Sequence, residues 1–221
     1  MNKRVVDYEL EVSKRLLENV EEVRESVRNK DMQLKITNYA NKHGLSKGYV
    51  AQLIVDDIDF ARNFAKDPGR QSIHETIAAK HIEESPVVKE HGSFKKLPAG
   101  GRNAKYVTLA GVRHENQDDT KSIDFEIKIG DETIYATCKY TKGEGGAQDN
   151  QYADVKQYVN IATQMLSRGA NEDNERFIAI VDGAYYENHG RKKELRRIGL
   201  GHIPILSINE VEEYLELYTI E

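Results

Sequence analysis

Ser122-Ile123-Asp124-Phe125-Glu126-Ile127-Lys128-Ile129-Gly130-Asp131-Glu132-Thr133-Ile134-Tyr135-Ala136-Thr137-Cys138-Lys139-Tyr140 is the stretch on which the fold turns. From 122 to 129 apolar and polar residues alternate. Ile123, Phe125, Ile127 and Ile129 fall on one face, and Asp124, Glu126 and Lys128 on the other. A period of two marks a strand with one buried face. Gly130-Asp131 reads as a turn. Residues 132–140 then continue as a second strand, so the stretch is a hairpin. It sets Asp124 on the polar face of the first strand and Lys139 near the end of the second.

Working outward, residues 106–109 look extended, and residues 71–84 read as a helix with Ile73, Ile77, Ala78 and Ile82 on one side. Ser85-Pro86 is expected to end that helix, because proline excludes its predecessor from helical backbone. After the hairpin comes a flexible loop, Gly143-Glu144-Gly145-Gly146, then a helix over 149–168. An apolar run at 176–181 reads as a buried strand, and a basic helix follows around 191–197. Residues 203–206 form a last strand. Ser207 caps a final helix reaching 218, with Glu210 completing a capping box. This alternation implies a mixed α/β (α+β) domain over 70–221, with a central mixed sheet flanked by helices.

Residues 1–66 read as a separate helical region, divided from the rest by the turn Asp67-Pro68-Gly69-Arg70. Residues 5–27 form an amphipathic helix carrying Leu10, Val12, Leu16, Leu17, Val20, Val23 and Val27, for packing or for dimerisation. Residues 34–64 form a cluster of short helices. Counting from Ile36 as position one, Ala40 stands at five, Gly44 at nine and Val50 at fifteen. The small residue lets two helices approach, and the glycine permits a left-handed turn. Tyr39, Leu45, Val50 and Leu53 would fill the wedge, and Ser46 would cap the second helix. Over about 36–54 the pattern resembles the helix-turn-helix of bacterial DNA-binding proteins. The resemblance implies that Ser46, Lys47, Tyr49 and Gln52 face the major groove. A helical hairpin without DNA contact is the other reading. A third helix over 56–64 carries Asp56, Asp57 and Asp59, which must point away from phosphate.

Composition sets the outer limits. The chain has 221 residues, 38% of them hydrophobic, which is enough for a real core. A net charge of −5 argues against a protein that coats nucleic acid without specificity, but not against a nuclease with local basic patches. One cysteine, Cys138, allows no internal disulfide and fits a reducing cytoplasm. No apolar run is long enough to span a membrane, and residues 1–10 carry no secretory signal, so no membrane association is expected.

From about residue 70 the chain resembles the cleavage domains of type IIS restriction endonucleases, within the PD-(D/E)xK nuclease superfamily. The resemblance runs in order through Gln71-Ser72-Ile73-His74-Glu75, Lys96-Leu97-Pro98-Ala99-Gly100-Gly101-Arg102, Ile123-Asp124, Tyr135-Ala136-Thr137-Cys138-Lys139 and Gln151 to Val159. It continues in Phe177 to Gly183 and Leu206 to Val211, covering roughly two thirds of the chain. It implies that Asp124 and Lys139 are catalytic, with Glu75 beside them. It also implies a Mg2+ ion (Mn2+ as substitute) held by Asp124, the acidic position now occupied by Thr137, Glu126 and the Cys138 carbonyl. The implied partners are double-stranded DNA and a second copy of the chain, since one site cuts one strand. The helix after Lys139 contributes to dimerisation in that family. Lys95, Lys96, Arg102 and Lys105 form a basic cluster ahead of the site, suited to phosphate. A second cluster comprises Arg191, Lys192, Lys193, Arg196 and Arg197.

Thr137 departs from the pattern, because a hydroxyl is a poor magnesium ligand beside a carboxylate. Three explanations are open. The acid has migrated, with Glu126, Glu75 and Asp154 as candidates. Or Thr137 is an engineered substitution that silences cleavage. Or the domain only binds DNA. His74 and Cys138 read as structural, and His114 as a loop residue. The expected function is that of a sequence-specific double-strand endonuclease of the restriction type, leaving 5′-phosphate and 3′-hydroxyl ends. The alternatives are an inactive nuclease-like regulator and a transposon or repair nuclease.

Overall fold

The computed structural model of the protein describes residues 5–68, 72–116, 120–143, 146–188 and 190–219. The chain divides into two compact units, Asp7–His74 and a larger one made of Met1–Val6 and Glu75–Glu221. Sequence reading put the division at residues 67–70; it falls instead within the first turn of a helix. Gly69 and Arg70 of the expected turn, Gln71, and Glu144 and Gly145 of the glycine loop lie outside the described residues.

The smaller unit is helical: α1 (Tyr8–Glu25), α2 (Lys30–His43), α3 (Lys47–Asp56) and α4 (Ile58–Ala61). The Asp7 carboxylate accepts the Glu9 and Leu10 N–H groups, so α1 starts three residues later than its apolar pattern. Gly44, at φ 65°, is left-handed and ends α2, as its position nine requires. The Ser46 hydroxyl accepts the Tyr49 N–H and starts α3. Val20, Ile36, Ala40, Val50 and Ile54 are buried together. Leu45, expected in the wedge, is exposed instead, since the turn after Gly44 carries it outward. The helix expected over 56–64 is broken at Asp57, whose extended backbone and capping carboxylate start the short α4.

The larger unit begins with α5 (Ile73–Glu83), which the division crosses, then α6 (Pro86–His91), β1 (Gly92–Lys96), β2 (Tyr106–Thr108), β3 (Gly111–Arg113) and β4 (Lys121–Ser122). Next come β5 (Phe125–Ile129), β6 (Glu132–Tyr140), α7 (Gly146–Ser167), β7 (Glu175–Asp182), α8 (Ala184–Asn188), α9 (Arg191–Ile198), β8 (Ile205–Leu206) and α10 (Ile208–Glu216). Ser85-Pro86 does end α5, but the proline also opens α6, whose first turn has no use for its missing N–H.

The main sheet runs β1-β5-β6-β7-β8, antiparallel through β6 and parallel from β6 to β8. The hairpin pairs Phe125 with Ala136 and Ile129 with Glu132. Ile123, Phe125, Ile127 and Ile129 are each 0% exposed, as their alternation predicts. The parallel half requires a crossover, which α7 supplies. Val155, Tyr158, Val159, Ala162 and Met165 of α7 pack with Tyr135, Phe177, Ala179 and Val181 of the sheet. The buried Tyr158 hydroxyl donates to the Tyr135 carbonyl at 2.9 Å. A small second sheet, β3-β2-β4, forms between β1 and β5. Glu210 accepts the Ser207 N–H at the start of α10, completing the expected capping box. Among the described residues, no helix is long and apolar enough to cross a membrane.

Candidate active site

Asp124 extends β5 by one residue. Its N–H donates to the Ala136 carbonyl and its own carbonyl accepts the Leu97 N–H. Its side chain therefore meets the end of β6. Asp124 Oδ2 accepts three donors: the Thr137 hydroxyl at 3.0 Å, the Cys138 N–H at 2.8 Å and Lys139 Nζ at 3.2 Å. None of these goes to Oδ1. Lys139 Nζ also lies 3.3 Å from Glu75 Oε1, on the first turn of α5. Three residues 64 and 15 positions apart in sequence thus meet through one ammonium group. Lys96 Nζ stands at 3.9 Å from the other Glu75 oxygen and donates to Thr76 Oγ1 at 3.5 Å.

Burial alone would lower the Lys139 pKa, but Asp124 and Glu75 more than offset it and hold the ammonium above its ordinary value. The two carboxylates thus favour the charged ammonium at this position. The Cys138 thiol is pushed well up by burial, then by the Asp124 and Asp182 carboxylates, so it is an inert core group. Its backbone matters more. In a strand the N–H and C=O of one residue point to the same side, so the Cys138 carbonyl faces Asp124 as its N–H does.

Other expected site residues lie apart from this centre. The Glu126 carboxylate is 2.5 Å from Lys105 Nζ, which also donates to the Tyr135 hydroxyl at 3.3 Å. Glu126 and Lys105 are thus paired with each other, at an exposure similar to that of Asp124 and Lys139. Asp154 is held 2.5 Å from Lys121. Of the migrated-acid candidates, only Glu75 reaches Lys139. Lys95 and Arg102 are exposed, the first on β1 and the second in the segment after it, and the Leu97–Asp124 bond ties that segment to the site. His114 Nδ1 lies 2.9 Å from the Ala104 carbonyl, a structural contact. The second basic cluster is largely engaged: Arg191 stacks 3.7 Å from the Tyr185 ring, and Lys192 reaches Glu187 and Glu210.

Two participants escaped sequence reading. Thr76 follows Glu75 and positions Lys96. Gln151 near the start of α7 accepts the Thr141 hydroxyl at 2.8 Å, just past the end of β6. Thr76 lies one residue past the Gln71–Glu75 block, so no motif pointed to it, whereas Gln151 opens the block that runs to Val159. Ser46, Lys47, Tyr49 and Gln52 belong to the smaller unit; all are exposed on or beside α3.

Among the described residues, no three His, Cys, Asp or Glu side chains form a metal-binding group. Magnesium on a phosphate substrate needs less, since one or two carboxylates suffice when water and phosphate supply the remaining oxygens. Asp124, Glu75 and the Cys138 carbonyl offer hard oxygens of that kind, so the donor chemistry fits. The chain matches no protein-family model, and no curated protein at a significant level.

Proposed function

We propose that the chain is a magnesium-dependent, sequence-specific double-strand DNA endonuclease of the restriction type, acting in a bacterial or archaeal cytoplasm. The reading rests on the meeting of Asp124, Glu75 and Lys139 beside the Cys138 backbone. The antiparallel-then-parallel order of the sheet agrees with a PD-(D/E)xK core. A bound Mg2+ (or Mn2+) would offset charge on the scissile phosphate. Asp124, Glu75 and the Cys138 carbonyl would hold it. Thr137 keeps Asp124 in place by a hydrogen bond, in the position where the family has an acid.

Lys139 would orient the attacking water and face the developing negative charge. Water attacks phosphorus, the bond to O3′ breaks, and 5′-phosphate and 3′-hydroxyl ends remain. Lys95, Lys96 and Arg102 would take neighbouring backbone phosphates. Ser46, Lys47, Tyr49 and Gln52 would supply recognition from α3 as the second helix of a helix-turn-helix. One centre cuts one strand, so a second copy is required for a double-strand break.

The test is cleavage of mixed-sequence DNA with Mg2+ and with EDTA, beside Lys139→Ala and Asp124→Asn. Discrete fragments that require the metal and both side chains are expected. One observation favours a second reading, a DNA-binding protein with a silent centre: Thr137 replaces an acid, and Lys139 already neutralises much of the charge of the two carboxylates. In that case the native chain binds DNA without cutting it, and Thr137→Glu brings cleavage out.

A further inference from the structure

On α3 the buried face is Val50 and Ile54, each 0% exposed. Tyr49, Gln52 and Asp56 lie on the opposite, exposed face at spacings of three and four. Gln52 is not free to turn there. Its Nε2 donates to Asp56 Oδ2 at 2.7 Å. A carboxylate only accepts, so the amide oxygen cannot face Asp56, and the contact fixes which end of the Gln52 amide points outward. One amide hydrogen is bound to Asp56. With the hydrogen trans to the carbonyl engaged by Asp56, the carbonyl oxygen and the other hydrogen form one free edge of the amide.

We propose that Asp56 is a positioning residue that makes α3 read adenine and reject guanine at one base pair of the target. The proposal rests on α3 being the DNA reader. In the major groove adenine presents an N6 donor beside an N7 acceptor, which the fixed acceptor–donor pair of Gln52 matches. Guanine presents two acceptors, O6 and N7. The outward carbonyl then meets O6 oxygen to oxygen, and the amide can turn its NH2 group to relieve the clash only by giving up its bond to Asp56. An unrestrained glutamine could turn. Asp56 thus turns an ambiguous reader into a selective one, and its negative charge is directed along the helix to Gln52 instead of toward phosphate.

The experiment is selection of bound sequences from randomised duplex DNA by the full-length protein, read by sequencing, so no cleavage is needed. Native protein, Asp56→Asn, Gln52→Ala and Lys47→Ala are compared. In Asp56→Asn the new side-chain amide can donate to the Gln52 carbonyl, which leaves the Gln52 NH2 group to point outward. The native protein should select adenine at one position per site. Asp56→Asn should lose that preference over guanine by about twofold at that position alone, or reverse it. A merely structural Asp56 would weaken binding at all positions equally. If Gln52→Ala loses the adenine and Asp56→Asn keeps it unchanged, the positioning role is overturned while α3 remains the reader. If the native protein selects nothing, or if neither Gln52→Ala nor Lys47→Ala alters the selected site, the α3 reading itself fails and the proposal with it.

Discussion

Replacing Lys139 with methionine should lower stability and, at the same time, tighten the hold of the site on divalent metal. The ammonium sits 3.2 Å from Asp124 and 3.3 Å from Glu75, with 22% of its side chain exposed. A fully buried pair broken at one partner costs about 3–5 kcal/mol, whereas an exposed pair contributes about 1 kcal/mol or less. The exposure of Lys139 puts the loss between these limits, at about 2 kcal/mol. Lys139 titrates above its ordinary value, so its stabilising charge is fully present below the usual lysine pKa and is lost only as pH rises through the folded value. The cost should therefore be undiminished at pH 7. Without the lysine, two carboxylates are left facing each other's field, and a cation is the natural replacement. Urea denaturation with and without MgCl2 measures both effects. At a magnesium concentration 100 times the dissociation constant the gain is about 2.7 kcal/mol, so metal should recover all of what the variant lost. An unfolding midpoint equal to that of the native protein, with no response to magnesium in the variant, would refute the assignment of Lys139 as counter-ion to a metal-binding carboxylate pair.

Two further outcomes follow from the same unit. Asp182 is buried, which raises its pKa from 3.8 to about 6 despite a hydrogen bond from the Ile208 N–H. A carboxyl raised in this way favours the fold while protonated, so its contribution is present below about pH 4 and fades as pH rises through 6, by about 3 kcal/mol in all. Asp182→Asn keeps an acceptor for Ile208 and should flatten the fall in stability between pH 4 and 7; parallel pH profiles for the two proteins would contradict this. Gly183 has φ 99°, and a Cβ there would lie 2.2 Å from the Thr141 carbonyl. Gly183→Ala should cost more than about 2 kcal/mol by thermal or chemical denaturation, and should disturb the Thr141–Gln151 contact beside the site.

The parts of the fold that were legible are those whose burial is one-sided or complete. Ile123, Phe125, Ile127 and Ile129 are enclosed on one face of a half-exposed strand, so the pattern of two survives in the sequence. β7 is enclosed along nearly all its length, and it reads as an apolar run. β1 gave no such signal. Gly92-Ser93-Phe94-Lys95-Lys96 is an edge strand held by backbone bonds to β5 alone, and its side chains are mostly exposed. The strands of the second sheet are two or three residues long, too short for any period to show. The division between units was misplaced for a related reason. A Pro-Gly turn marks where the chain bends, whereas the allocation of contacts passes through α5.

The site was legible to the extent that register determines it. Alternation and the Gly130-Asp131 turn fix Asp124 across from Thr137, with Lys139 two residues further along the same face, without reference to the rest of the chain. Glu75 comes from 64 residues away, so only family order could nominate it. Glu126 had the same alternation in its favour as Asp124, and what separates them is Lys105, a residue between β1 and β2 whose position no local pattern specifies. The geometry also gives Thr137 a physical sense. Its hydroxyl donates to Asp124 at 3.0 Å. A carboxylate in that place would set two like charges in contact, with one ammonium already shared between Asp124 and Glu75. Such a site would be strained until a cation arrived. With threonine the site is balanced and hydrogen-bonded, and under the proposed function a metal would have to compete with Lys139 for both carboxylates. Under the proposed function, a threonine at 137 therefore favours a stable resting site at the expense of metal affinity.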